Sequence, residues 1–257
     1  MSVRLIRAEV VKLSTRRGLM AASLLLTVVA TVVFALILLV LHWTDPTKHR
    51  IVGGINHFNN GLYSLTQLAT MAAILIGATA GAGDLAAGFF RSLVVTGRPR
   101  GSLFGARIPG GLAVVLPIAA AAYVLLALFS FVVPGDASTP STTLLVEAAL
   151  WFQLYIAVMF LLSLGLASLL GSRATTIGIL AGLQLLVTPL VQGLHNPGVG
   201  ADSVLGLALW RLAPRELLNG APPGHLGESL AVALVVIAVW MAAAVGLGAW
   251  RTVTRDA

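Results

Sequence analysis

The chain contains no cysteine, which excludes disulfide bonds, thiolate nucleophiles and cysteine-ligated metal or iron–sulfur centres. Charged residues are also scarce, at 10% of the 257 residues, whereas soluble domains carry about a quarter. Hydrophobic residues make up 58%, and the charges fall in short clusters between long apolar runs. Because a helix in water needs a polar face, this distribution predicts a membrane protein.

Common catalytic motifs are missing too. The sequence has no G-x-S-x-G, no H-E-x-x-H and no phosphate-binding G-x-x-x-x-G-K-[ST], and it has no Gly-Lys pair. We therefore expect a chain that is not an enzyme by itself, needs no cofactor of its own and does not hydrolyse ATP. The apolar runs also lack deep ionisable residues, which argues against a proton- or sodium-driven carrier.

Three histidines near one another raise the question of a metal site. His42, His49 and His57 have no i, i+4 spacing, and Asp45 is the one carboxylate nearby. This spacing does not favour metal binding, and no metal is expected.

Six apolar runs are long enough to cross a bilayer, which takes roughly 20 residues per helix. They lie at about 19–43, 61–83, 108–133, 148–170, 174–194 and 229–250. Long Leu, Val and Ala runs suit helices and lack the alternation of barrel strands. The predicted fold is therefore all-α, a single six-span transmembrane domain covering 1–257.

The basic residues predict the orientation of these spans. Twelve of the 16 Lys and Arg residues flank the spans on one side, and four lie on the other: Lys48, Arg50, Arg211 and Arg215. The positive-inside rule then places both termini in the cytoplasm of a multi-pass plasma-membrane protein. The net charge of +7 is accounted for by this topology, so no nucleic-acid partner is expected.

Segments outside the spans carry further expectations. Residues 1–17 have an apolar face and predict an amphipathic helix on the inner membrane surface, with a solvated basic tail as the alternative. Segment 195–228 predicts an extracellular loop with a short helix that places Trp210 and Arg211 at headgroup depth. The basic residues assigned to the membrane-surface helix are Arg4, Arg7, Lys12, Arg16 and Arg17.

Two stretches rich in small residues, 77–83 and 162–172, predict close helix contacts, because small side chains let helix backbones approach in membranes. The same stretches are also consistent with the general abundance of small residues in membrane helices.

The connection at 84–107 is the most charged predicted inner segment, and it is longer than the two to eight residues or so that usually join two helices. Gly88 follows Asp84 by one helical turn, and Phe89 and Phe90 add an apolar surface. The segment predicts two short helices that rest on a cytoplasmic protein.

At these positions the sequence resembles the permease subunits of ABC-2 type transporters of the actinobacterial type. In that family an acidic residue ends the second span, a Gly and then an Arg follow, and a basic residue opens the third span. Asp84, Gly88, Arg91, Arg100 and Arg107 match this pattern. The opening RLIRAEVVKLSTRRG is also similar to the start of such subunits.

Three positions depart from the pattern in residue type. Asp84 stands for the commoner Glu, Phe89 for Thr and Arg107 for Lys, and this leaves the contact pattern open. The resemblance implies that segment 84–107 couples the chain to an ATPase. The residues it assigns to coupling are Asp84, Gly88, Phe89, Phe90, Arg91, Arg98, Arg100 and Arg107.

The resemblance further implies a permease half that works with a separate cytoplasmic ATPase subunit, which binds the ATP, and with a second permease subunit, identical or paralogous. Such a complex exports its substrate by alternating access, and apolar spans suit an amphiphilic or hydrophobic drug, lipid or peptide. Two alternatives remain open: a stand-alone secondary carrier or channel, and a non-transporting membrane scaffold.

Overall fold

The computed structural model describes residues 3–45, 53–86, 99–132, 138–188, 190, 204–218 and 230–254. These residues are helical almost throughout, and none of them belongs to a β-strand. Five helices are long and apolar enough to cross a membrane. The chain is therefore an all-α, multi-pass type of membrane protein.

The helices are numbered along the chain as follows: α1 Val3–Ser14, α2 Arg17–Thr44, α3 Gly54–Ala86, α4 Arg100–Val132, α5 Thr142–Leu170, α6 Arg173–Val187, α7 Leu205–Arg211, α8 Arg215–Leu218 and α9 Leu230–Thr254. Helices α2 and α6 each include a wider π-type turn, at Leu25–Val29 and Leu183–Val187. Helices α2, α3, α4, α5 and α9 are the five of membrane length.

The turn between α5 and α6 follows from local sequence chemistry. Gly171 takes a left-handed conformation with φ 69°, which ends α5 at little steric cost. Ser172 then caps α6, because its hydroxyl accepts a hydrogen bond from the Thr175 backbone N–H at 3.3 Å. Helix α6 is too short to span a bilayer, so among the described residues the fifth predicted span is observed only in part.

The packing of α3 against α5 confirms the role expected for the two small-residue stretches. A Cβ added at Gly77 would lie 2.6 Å from the Phe160 carbonyl oxygen, and one at Gly81 would lie 2.5 Å from the Leu164 oxygen. Ser163 on α5 donates a 2.8 Å hydrogen bond to the Ile74 carbonyl. Only Gly allows this backbone approach, so α3 is held at the centre of the bundle.

Helices α3 and α4 both begin earlier than the predicted spans. Helix α4 continues without a break from Arg100 through the region expected as loop, and it passes Pro109 and Pro117. Helix α3 starts at Gly54, so part of the segment expected as an external loop, including His57, belongs to this helix. The hydropathy of the sequence does not indicate this extension, because polar residues such as Asn56 and Asn60 lower the average although they lie on only one face of the helix.

Helix α1 and the last turn of α9 both contact the first part of α4. The Arg100 guanidinium donates to the Val253 carbonyl oxygen at 3.3 Å, and α1 packs on the first turns of α4 near Gly110. This end of the bundle, marked by Arg16, Arg100 and Arg107, is termed the basic end. The opposite end, where α7 and α8 lie, is termed the distal end.

Candidate functional site

At the basic end, α3 is tied to two other helices through one carbonyl group. The Gly81 oxygen accepts hydrogen bonds from the Arg107 guanidinium on α4 at 3.1 Å and from the Ser168 hydroxyl on α5 at 3.4 Å. The Arg107 side chain is only 2% exposed. Arg107 therefore lies inside the bundle and not on the surface of a loop, where the sequence placed it.

Arg16 adds a second basic contact to the same region of α3. Both terminal guanidinium nitrogens of Arg16 lie 3.3 Å from the position that a Cβ at Gly83 would take. Gly83 thus leaves the space that this guanidinium fills. Arg16 comes from the turn between α1 and α2, so the N-terminal part of the chain also contacts the end of α3.

Helix α1 is packed on protein as well as being amphipathic. Leu13 is fully buried, and Glu9 Cβ lies 2.7 Å from the position of a Cβ at Gly110 on α4. Lys12 pairs with the Glu9 carboxylate at 2.6 Å. The apolar side that the sequence assigned to the membrane surface therefore lies partly against α4, although Val3 remains 78% exposed. The other basic residues assigned to this surface, Arg4, Arg7 and Arg17, are exposed.

The remaining residues predicted for coupling are distributed as follows. Asp84 is in the last turn of α3, with its side chain outside the described part of the structure, and Arg100 is the first residue of α4. Five lie outside the described residues: Gly88, Phe89, Phe90, Arg91 and Arg98. Segment 84–107 connects α3 to α4. Arg100 and Arg107 lie in α4, and both Arg16 and Arg107 contact the end of α3.

A second group of polar side chains lies inside the bundle, where four helices meet. The Gln184 side-chain amide on α6 donates to the Gln67 amide oxygen on α3 and to the Tyr155 hydroxyl on α5, the latter at 3.2 Å. The Gln67 amide donates to the Tyr63 hydroxyl at 3.4 Å. Together with Trp210 these residues form what is termed here the amide cluster. The π-type turn of α6 holds Gln184, which is 2% exposed.

Trp210 connects the amide cluster to the short helix α7. Its ring centroid lies 4.6 Å from that of Trp151, 5.4 Å from Tyr63 and 6.4 Å from Tyr155. The Trp151 indole N–H donates to the Leu209 carbonyl oxygen at 2.8 Å, which fixes α7 on α5. Trp210 is 6% exposed, so it packs within the protein and does not face lipid headgroups as the sequence suggested.

A polar strip runs along one side of α3 toward the amide cluster. Its members, Asn56, Asn60, Ser64 and Gln67, are spaced at intervals of three and four residues and so share one helix face. Asn56 and Asn60 are exposed, and Ser64 and Gln67 are half-buried. Beyond Gln67 the polarity ends, because the same face continues with the half-buried, apolar Met71 and Leu75.

His57 lies on α3 in an apolar position. Its ring is 3% exposed, with centroids 6.1 Å from Phe34 on α2 and 5.2 Å from Phe129 on α4. Among the described residues, neither ring nitrogen has a hydrogen-bond partner. No group of three or more His, Asp or Glu residues that could bind a metal occurs in the described ranges.

Sequence reasoning missed the amide cluster because its members are far apart in the chain. Gln67 and Gln184 are separated by 117 positions, and nothing local to either residue predicts the other. The available signal was the presence of amides within apolar runs, since buried polar groups in membranes need partners. The amides within the apolar runs show which side chains need a partner, but not which partner each of them has.

Comparison with known proteins adds no identification. No protein-family model matches the chain, and no curated protein is detectably similar to it in sequence.

Proposed function

We propose that the chain is the permease subunit of an ATP-driven ABC-2 type transporter that exports an amphiphilic or hydrophobic substrate across the plasma membrane. In this proposal six spans leave both termini, and the basic end, in the cytoplasm. A separate cytoplasmic ATPase subunit binds and hydrolyses the ATP. A second permease subunit, a copy or a paralogue, completes the pathway.

One observation carries the proposal: the basic end of α3 is held by neighbours on several sides. Of the five long helices α3 is the most buried, at 78% of its apolar window, against 61% or less for the others. The contacts of Gly81 with Arg107 and Ser168 join it to α4 and α5. A force applied to the segment between α3 and α4 would therefore move these helices together, as a coupling element requires.

The position of charge along the long helices also supports the proposal. In the described parts of these helices, charged residues lie within about two turns of a helix end, as with Arg17, Glu147 and Arg251. The one farthest from an end is Arg107, two turns into α4, and its guanidinium bonds to the Gly81 carbonyl near the end of α3. Ion-driven carriers usually hold ionisable groups deep in their spans. A membrane domain whose described helices carry their charge in the outer turns fits an external source of energy.

Co-purification tests the proposal directly. The chain is extracted from its native membrane in mild detergent, and bound proteins are identified by mass spectrometry. We expect a protein with a phosphate-binding G-x-x-x-x-G-K-[ST] loop to co-purify. Gly88→Leu is expected to reduce its recovery, because the side chain would fill the proposed contact surface.

Gly178→Leu is the matched control, since a Cβ at Gly178 has no atom within 4 Å. It should leave recovery of the ATPase unchanged. Equal recovery and equal transport with the wild-type chain and the Gly88 variant would remove the docking role. Full transport by the chain alone would remove the proposal as a whole.

His57 favours a second candidate function, a proton-coupled carrier. A titratable imidazole inside a membrane-length helix is a functional-site hypothesis in its own right, and the sequence had placed this residue outside the span. Vesicles that contain only this chain test the idea. Solute uptake that follows an imposed pH gradient and is lost in His57→Phe would favour the carrier over the permease.

A further inference from the structure

We propose that the outer face of α1 binds the headgroups of anionic phospholipids, and that the bound lipid holds α1 on the bundle. This face, termed here the arginine face, consists of Val3, Arg4, Arg7, Ala8 and Val11, all of them exposed. The lipid contact is inferred from the structure alone. Its use in regulating a transporter rests on the proposed function, because α1 packs on α4, the helix that follows the proposed coupling segment.

Helix α1 has two opposite faces, and the structure exchanges the roles that the sequence gave them. The apolar side, which was expected on the membrane, is turned toward protein: Leu13 is fully buried, and Glu9 packs against Gly110 of α4. With about 100° of rotation per residue, Arg4, Arg7 and Val11 lie on the side opposite to Glu9 and Leu13. The arginine face is therefore the side of α1 that is left for a contact outside the bundle.

The arginine face carries positive charge only. Glu9 is the one acidic residue of α1, and it is buried and paired with Lys12. Among the described residues, no carboxylate forms an ion pair with Arg4, with Arg7 or with Arg17, which begins α2. A guanidinium group binds phosphate oxygens through two parallel hydrogen bonds. An anionic headgroup supplies these oxygens together with the negative charge that the arginines lack as a partner.

The position of α1 directs the arginine face sideways and places it at headgroup depth. Residues 100–109 of α4 precede Gly110, which amounts to about 15 Å of helix at 1.5 Å per residue. Helix α1 therefore contacts the flank of α4 and not its tip, so the opposite face of α1 points away from the bundle. The charge-free run 18–41 of the first span begins directly after Arg17. Such a boundary between basic and apolar residues is typical of headgroup depth.

The surroundings of the arginine face favour a membrane over a protein partner. Val3 and Val11, which are 78% and 50% exposed, lie beside the arginines. Helix α2 follows α1 directly and has only 17% of its apolar window buried, with Leu25 exposed near its start, so this part of the bundle is bordered by lipid. There the valines contact the edge of the hydrocarbon, and the guanidinium groups extend to the phosphates.

Lipid-selective quenching in nanodiscs tests the site on the full-length chain. Because the chain has no cysteine, Ala8→Cys gives a single attachment point for an NBD fluorophore on the arginine face. The discs consist of phosphatidylcholine with the same mole fraction of a nitroxide-labelled lipid, which is either phosphatidylglycerol or phosphatidylcholine. Both carry the nitroxide at the same acyl carbon. The ratio of the two quenching efficiencies then measures the enrichment of anionic lipid around α1.

We expect phosphatidylglycerol to be enriched about ten-fold over phosphatidylcholine, since each basic residue near an anionic surface strengthens binding about five-fold and salt screens part of this effect. Arg4→Gln combined with Arg7→Gln should reduce the enrichment to less than about two-fold. Arg173→Gln is the matched control, because Arg173 is also exposed near the basic end but begins α6. It should keep the full enrichment.

Hydrogen exchange tests whether the lipid holds α1 in place. The backbone amides of residues 3–14 are followed by mass spectrometry in the chain without a label. Their exchange should be several-fold slower in discs that contain phosphatidylglycerol than in discs of phosphatidylcholine alone, because the bound lipid opposes the release of α1 from α4. The double arginine variant should exchange at the same rate in both kinds of disc.

Equal quenching by the two lipids would overturn the proposal, as would the same enrichment in the wild type and the double variant. Equal exchange of wild-type α1 in both kinds of disc would refute its retention by lipid. If the arginine face binds an acidic surface of the ATPase instead, the wild type will show no lipid preference and the double variant will lose recovery of the ATPase; that result also refutes the site. The quenching assay needs no ATPase, so enrichment of phosphatidylglycerol without a co-purified ATPase would retain the site and remove only the permease proposal.

Discussion

The contact between α5 and α9 allows a quantitative test of the helix packing. At their crossing, a Cβ added to Gly248 would lie 2.6 Å from the Gly165 carbonyl oxygen and 2.9 Å from the Gly165 Cα. Both neighbours are backbone atoms, which cannot rotate away as the end of a side chain can. Gly248→Ala therefore requires the two helices to separate.

The expected effect can be estimated from these distances. Ordinary van der Waals contact begins near 3.4 Å, so the helices must move apart by about 0.5–0.8 Å at the crossing. A gap of about 0.5–1 Å forfeits a quarter to a half of the dispersion energy of each contact across it. Overpacking in well-packed cores costs about 1–3 kcal/mol. Ala also gains up to about 1 kcal/mol over Gly in helix propensity, so we expect a net loss of about 1–2 kcal/mol.

Gly246→Ala supplies the control on the same helix. A Cβ at Gly246 has no atom within 4 Å, so this variant gains helix propensity without a clash. We expect it to be as stable as the wild type, or more stable by up to about 1 kcal/mol. The free energy of unfolding is measured for all three proteins by SDS titration in mixed micelles, followed by tryptophan fluorescence.

Equal free energies of unfolding for Gly248→Ala and Gly246→Ala would contradict this expectation. That result would mean that α9 does not approach α5 at Gly165. Because only 11% of the apolar window of α9 is buried within the bundle, this crossing accounts for much of its attachment.

Three further predictions concern single side chains, each measured by the same titration unless stated. Arg107→Met should reduce the free energy of unfolding by about 1.5–3 kcal/mol, since it removes the buried hydrogen bond from the guanidinium to the Gly81 carbonyl. Arg100→Met is the control and should change the free energy of unfolding by under about 1 kcal/mol, because this residue lies at the exposed start of α4. His57→Phe should raise the free energy of unfolding by about 1–2 kcal/mol, because it removes two buried nitrogens that lack partners among the described residues. Tyr123→Phe should lower it, because the hydrogen bond to the Leu145 carbonyl is lost. The same change in both variants would contradict the burial of an unpaired imidazole at His57. Trp151→Phe should free the short helix α7, seen as faster proteolysis within 204–218, and unchanged cleavage would show that the indole bond does not hold it.

Several elements of the fold were predictable because they depend on short stretches of sequence. The long apolar runs of α2, α5 and α9 were placed close to their observed positions, since lipid demands an uncharged helix of sufficient length. The start of α3 was not, because its polar strip resembles a loop when hydropathy is averaged over all faces of a helix. Helix α6 was predicted as a full span, but Arg173–Val187 is only about 22 Å long at 1.5 Å per residue, against about 30 Å for the hydrocarbon core. The residues that follow it include Pro189.

The candidate site was less predictable than the helices. The sequence predicted a charged inner segment at 84–107, yet the burial of Arg107 depends on the Gly81 carbonyl, which no side-chain pattern reveals. Trp210 was expected among lipid headgroups because an aromatic residue beside an Arg is typical of that depth. Its position instead follows from the rings of Tyr63 and Trp151, which lie in other helices.

The sequence by itself determined the class of molecule, since composition and apolar run length decide whether a chain enters lipid and whether it does so as helices. It also determined where close helix contacts are possible, through small residues such as Gly77 and Gly81. Only the tertiary structure decided which polar side chains meet. Partners such as Gln67 and Gln184 come together because of how whole helices pack, and that choice minimises the free energy of the bundle and not of any single segment.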